Sequence, residues 1–320
     1  MTARVHLLVK PGSLSPEKGP TEESLAREFV AIHGDSWRFD HTVKSWFRWD
    51  GQRWARDECR LVGYQIAEHL RIAGAARNTP TIASTRIANG VEAFASKNPR
   101  IATTAVHWDT DPWLLGTPSG TVDLRTGELH PASPDQHITK IAVVAPGDGP
   151  PVLWLRFLTE AVGGDEDMVA FLRRWCGYCL TGLISEHAFA FIHGSGGNGK
   201  SVFLNTLAGI LGDYAVTAPM ETFAAGKGDR HPTELAMLNG ARLVSASETE
   251  HGRGWAEAKV KAITGGDPIT ARFMNGNFFT YRPAFKLLIV GNPGLFNANY
   301  FMSWISSSGG GLRIPKRQFF

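Results

Sequence analysis

The residues best suited to chemistry lie in the second half of the chain. Gly194, Ser195, Gly196, Gly197, Asn198, Gly199, Lys200 and Ser201 spell a complete G-x-x-x-x-G-K-[ST]. Glycines let backbone N–H groups close around phosphates, and the start of a following helix favours their negative charge. In such a loop Lys200 reaches the β- and γ-phosphates, and the Ser201 hydroxyl holds Mg2+. ATP and Mg2+ are therefore the expected ligands. Glu248, in "ARLVSASETE", is the acid expected to polarise water or support the metal, with Glu250 as its backup. Asn292, at the end of "AFKLLIVGN", is placed to orient an attacking water.

The elements needed to position these groups are readable. Ala188–Ile192 reads as a buried strand before the loop, and Val202–Leu211 as an amphipathic helix after it. Leu243–Ala246 and Phe285–Val290 read as two further buried strands that end at Glu248 and Asn292. Asn275-Gly276, between two strand-like runs, predicts a two-residue hairpin.

A competing chemistry is offered by "RRWCGYC", where Cys176 and Cys179 stand two residues apart. A reactive dithiol needs its first thiol at a helix start. Here Asp165, Glu166 and Asp167 precede an apolar face of Met168, Phe171, Leu172, Trp175 and Cys179. That pattern starts a helix near 165 and buries Cys176 about three turns inside it. The thiols are thus expected to be structural. His187 and His193 lack zinc-finger spacing from them.

The chain has 320 residues, 43% of them hydrophobic and 20% charged, with a net charge of +3. That length allows two domains. Three cysteines supply no disulfide framework, which suits a cytoplasmic protein. No apolar run is long enough to span a bilayer. The mild positive charge permits nucleic-acid binding without arguing for it. Residues 1–20 read as a loose leader, 21–150 as an α+β domain, and "APGDGPP" at 145–151 as the linker to a domain over 151–320. In the first domain Thr21 and Ser24 are candidate helix caps before Leu25, Phe29 and Ile32. "WFRWDGQRW" predicts a hairpin about Asp50-Gly51 that packs its Trp residues. Residues 58–99 read as helices broken at Gly74 and Pro80, and 114–130 as short strands with a turn at Arg125-Thr126-Gly127.

Phosphate loop, "ETE", then "K..TGGD...AR", then "GN" resembles the superfamily 3 helicases. The wording is similar to the phage and plasmid primase–helicase group, related to the poxvirus primase–NTPase. "WDTDPWLLGTPSGTVDLRTGELHPASPDQHITK" resembles the region preceding the helicase in that family, and "RRWCGYCLTGLISEHAF" its helical lead into the loop. The resemblance implies an α/β fold: a P-loop NTPase, AAA+-like core with a mostly parallel sheet, preceded by a smaller α+β accessory domain. It implies a homo-hexameric ATPase moving on single-stranded DNA beside replication proteins of the mobile element or host, with no membrane. It assigns Glu248 as the Walker B acid and Asn292 as the sensor. Lys261, Thr264, Gly265, Gly266, Asp267 and Arg272 match the segment between them, where Lys261 and Arg272 would contact DNA.

Two departures qualify that picture. The family continues after "GN" with acids, paired arginines and "IPF", whereas this sequence reads "PGLFNANYFMSWISSSGGGLRIPKRQFF". Arg313 and Arg317 stand outside the expected context, so a shortened C-terminus is expected. The alternative is a remnant that binds ATP or DNA without productive hydrolysis. Asp109 and Asp111 have D-x-D spacing, but they fall in the accessory region and are not expected to form a polymerase metal pair.

Overall fold

The structure, a computed structural model, describes residues 19–193, 197–224, 232–247, 256–274, 276 and 278–291. Its first part holds α1 (Glu22–His33), β1 (Trp37–Asp40), β2 (Ser45–Trp49), β3 (Trp54–Arg56), α2 (Leu61–Ala76), α3 (Thr85–Ala95) and β4 (Ala102–Thr103). An antiparallel sheet follows, of β5 (Leu114–Thr117), β6 (Gly120–Asp123) and β7 (Glu128–His130). After α4 (Val152–Ala161) and α5 (Glu166–Leu180), the chain runs through β8 (Ala190–His193), α6 (Lys200–Leu211), β9 (Ala215–Thr217) and α7 (Pro232–Ala236). It continues with β10 (Leu243–Ser247), α8 (Glu257–Gly265), β11 (Ile269–Ala271), β12 (Phe279–Tyr281) and β13 (Lys286–Gly291). The chain is thus mixed α/β, an α+β region preceding a parallel sheet.

These elements group into two compact units. Among the described residues one comprises 19–39 with 57–103, the other 40–56 with those from 104 to 291. Position 150, the boundary read from the sequence, lies within the second unit.

In the first unit Thr21 caps α1 by accepting from the Ser24 N–H at 3.1 Å. Leu25, Phe29, Ile66, Leu70 and Val91 are fully buried there. Ile32, expected on the apolar face, is 66% exposed, and Val30 takes its place inside. Gly74 does not break α2; it lies inside the helix, where a Cβ would sit 3.0 Å from the Thr79 carbonyl oxygen. Close approach of the chain after the helix explains this glycine better than helix ending does.

In the second unit β2 and β3 form the expected hairpin, Trp49 opposite Trp54. The Asp50 carboxylate accepts from the N–H groups of Gln52 and Arg53, and Gly51 supplies a positive φ of 100°. Trp46 and Trp54 are buried, so these rings pack inward and are not displayed for bases.

β8, β13, β10 and β9 form, in that spatial order, an entirely parallel sheet among the described residues. Its side chains alternate between two cores. Leu243 and Leu288 face Trp175, Tyr178, Cys179, Phe203, Leu207, Leu211 and Tyr214. Val244, Ala246, Leu287 and Ile289 face Phe223, Leu238, Val260 and Ile263. β10 and β13, covered on both faces, are near-continuous apolar runs, whereas β8, expected as a buried strand over Ala188–Ile192, is only half-buried because it lies at the edge of the sheet. No helix among the described residues is long and apolar enough to cross a membrane.

Candidate nucleotide site

The phosphate-loop motif sits between β8 and α6. Its first three residues, Gly194, Ser195 and Gly196, lie outside the described residues. Gly197 and Gly199 have φ of +78° and +82°, a backbone region that side chains disfavour, which accounts for glycine at both. Gly199 is the N-cap of α6, whose first turn receives no side-chain cap. Those N–H groups are the donors that an anion at a helix start would use. Lys200 opens α6, and its ammonium donates to the Asn198 side-chain oxygen at 2.7 Å. Ser201 is exposed at the same turn, leaving its hydroxyl accessible to a metal ion.

Three strands of the sheet end together just ahead of these motifs in sequence. Ser247 lies opposite Val290, and Val290 opposite Ile192. β8 ends at His193, β10 at Ser247 and β13 at Gly291, so the three ends are level within one residue. Neighbouring strands stand about 4.8 Å apart. The next residues in sequence are Gly194, Glu248 and Asn292, each the start or centre of a motif. Glu248, Glu250 and Asn292 lie outside the described residues, as do Arg313 and Arg317.

The segment between Glu248 and Asn292 has clear local causes. Thr264 is buried and donates its hydroxyl to the Val260 carbonyl at 2.9 Å. Gly266, at φ +84°, ends α8. The Asp267 N–H then donates to the Ala262 carbonyl, and Arg282 donates to the Gly266 carbonyl at 3.2 Å. "TGGD" is therefore a helix-ending turn. Lys261 is exposed on α8. Arg272 follows β11 and places its guanidinium 4.9 Å from the centre of the Phe278 ring.

The hairpin that follows differs from the two-residue turn read at Asn275-Gly276. β11 and β12 pair Ala271 with Phe279, leaving 272–278 as the connection. Phe273 stacks on Phe279 at 5.6 Å, and the Gly276 N–H donates to the Phe273 carbonyl at 2.9 Å. This local turn inside a longer loop displaces the strand register from the dipeptide. Phe273, Met274 and Phe278 are exposed on it.

Cys176 and Cys179 lie within α5, which Asp165 caps by accepting from the Met168 N–H. Burial pushes both thiols up to about 12. Both face the core from inside a helix, as the helical pattern indicates. Asp109 accepts from the Thr139 N–H at 2.9 Å, and Asp111 pairs with Arg125 at 2.8 Å. Both carboxylates are engaged in holding turns together. No group of three or more His, Cys, Asp or Glu that could hold a metal occurs among the described residues.

Sequence reasoning missed two buried cations. Arg242, 4% exposed, precedes β10 and donates to the carbonyls of Leu180 and Leu114, with Tyr214 beneath its guanidinium at 4.5 Å. Lys286, 1% exposed, opens β13 and donates to the carbonyls of Thr181 and Leu183. The two bases answer carbonyls at and just beyond the end of α5, which a helix leaves unpaired. Only their position just ahead of apolar runs signals them.

Residues 26–163 match the family described as D5 N terminal like, and residues 192–299 match a family of unknown function (DUF5906). Together the two regions span most of the chain and bear out its resemblance to the primase–helicase family. A protein of Acanthamoeba polyphaga mimivirus named as a helicase (L207/L206) is 27% identical over 192 residues. That match covers 58% of this chain and 20% of the mimivirus protein. Among solved structures, the apo structure of the NrS-1 C terminal region shares the fold, with a TM-score of 0.52 at 11% identity. It covers 86% of this chain and 58% of that one. The chain thus spans about a fifth of the viral relative and under two thirds of the structural one.

Proposed function

We propose that this chain is an ATP-dependent DNA helicase or translocase component of a phage or plasmid replication system. The carrying observation is the level ending of β8, β13 and β10, immediately before Gly194, Asn292 and Glu248. Open parallel sheets bind ligands at the carboxyl ends of their strands. β13 runs between the other two, so the sensor would stand beside both the phosphate loop and the acid. That order supports an AAA+-like P-loop core.

In this reading Gly194–Ser201 cradle the phosphates of ATP, and Lys200 neutralises charge on the β- and γ-phosphates. Ser201, with support from Glu248, would hold Mg2+, which would supply positive charge against the phosphates. Glu248 accepts the proton of the attacking water, and Asn292 orients that water. Lys261 and Arg272 contact single-stranded DNA. A homo-hexameric ring, replication proteins as further partners and a cytoplasmic location belong to the same proposal. The likeness to the helicase-named viral protein supports it.

Steady-state ATP hydrolysis, with and without single-stranded DNA, tests this directly. DNA-stimulated turnover that vanishes in Lys200→Ala is expected. A folded protein that binds ATP but never turns it over would instead be a binding remnant.

A further inference from the structure

We propose that Phe157 of α4 is a positioning residue for the phosphate loop, an inference that rests on the nucleotide-site reading above. A Cβ built on Gly199 would lie 2.9 Å from Phe157 Cε2 and 3.1 Å from Cζ, with Ala161 Cβ next at 3.8 Å. The ring edge therefore occupies the space that the missing side chain leaves. Gly199 is also the residue at φ +82° that turns the chain into Lys200 and α6. Left alone, glycine explores both signs of φ readily. The ring packed beside it removes that freedom and fixes where the first N–H groups of α6 point.

Phe157 is itself held from behind. It stacks on Trp154 at 5.2 Å, and Trp154 stacks on Phe203 of α6 at 5.7 Å. Phe203 is buried on the same helix that Gly199 begins. α4 thus grips both the cap of α6 and its first turn. By sequence α4 falls inside the D5 N terminal like region, while the loop belongs to the region matched at 192–299. α4 would in this way set the shape of the ATP site through one ring.

Two substitutions test this from opposite directions. Phe157→Ala removes the ring. Phe157→Tyr keeps it but adds an oxygen on Cζ, one of the two ring atoms that lie beside Gly199. The readout is equilibrium binding of a fluorescent ATP analogue to the full chain, with inorganic triphosphate as competitor and a thermal melt of each variant. Both variants should melt close to the wild type, while affinity for ATP and for triphosphate falls together, by about tenfold. A merely structural role would lower the melt without singling out phosphate. If Phe157→Ala fails to fold, Phe157→Tyr decides the matter. A variant with wild-type melting that binds both ligands as the wild type does overturns the proposal alone. A folded wild type that binds neither ligand overturns the nucleotide reading and this proposal with it.

Discussion

The ammonium of Lys286 stands 4.7 Å from the centre of the Tyr178 ring, sealed from solvent at the start of β13. Burial lowers its pKa to about 7; nearby Cys179 favours the charge and Arg242 opposes it. The unfolded chain keeps the ordinary lysine value, so between about pH 7 and 9 it binds a proton that the folded chain does not. Stability therefore rises with pH across that window. Above it the two thiols, held near 12, act in the opposite sense. Denaturant midpoints measured from pH 7 to 8.5 should climb for the wild type and stay flatter for Lys286→Met. Equal slopes would mean that Lys286 keeps its proton in the folded chain.

The thiols give a second test. Cys59 is exposed, whereas Cys176 is half-buried and Cys179 is fully buried. Alkylation of the native protein at neutral pH should proceed with one fast site, Cys59, and two slow ones that open only in denaturant. Rapid modification of Cys176 would revive a dithiol chemistry.

Tyr214 joins two parts of the second unit. Its hydroxyl donates to the Lys140 carbonyl at 3.0 Å and accepts from the Gly116 N–H at 3.1 Å. Tyr214→Phe leaves both backbone groups without that partner and should cost about 1–3 kcal/mol in a denaturant melt. A change within a few tenths would mean that water replaces the hydroxyl.

The last prediction concerns DNA. If Lys261 and Arg272 each neutralise one phosphate, each alanine variant should weaken single-stranded DNA binding. The slope of log affinity against log salt should shrink by about 0.7 per residue. Weakened binding with an unchanged slope would assign the loss to altered folding of α8 for Lys261 or of the β11–β12 connection for Arg272.

How far the sequence revealed this molecule depends on how local each cause is. β10 and β13 are visible because strands covered on both faces must be apolar throughout, and α5 because its acids and apolar face keep helical spacing. The hairpin at Asp50-Gly51 is equally local. The β11–β12 connection is not: Phe273 stacks on Phe279 and pairing ends at Ala271 and Phe279, while Asn275 itself lies outside the described residues. Lys286 and Arg242 could not be recognised as buried, since the carbonyls that hold them come from the far end of α5 or from β5. The Phe157–Gly199 packing is hidden for the same reason: neither residue type announces the other.

The strand order has a consequence for how the protein is made. Among the described residues β8 hydrogen-bonds only with β13, which the ribosome delivers last of the sheet's four strands. Until Gly291 has emerged, Ala190–His193 wait as an open edge, and the glycine turn they support has no floor. β9 and β10 can pair beforehand, so the sheet closes by insertion of its final strand between two earlier ones. Distant parallel pairings of this kind form slowly. Competence to hold a nucleotide would then arrive late in synthesis, after every other strand of that sheet is already waiting.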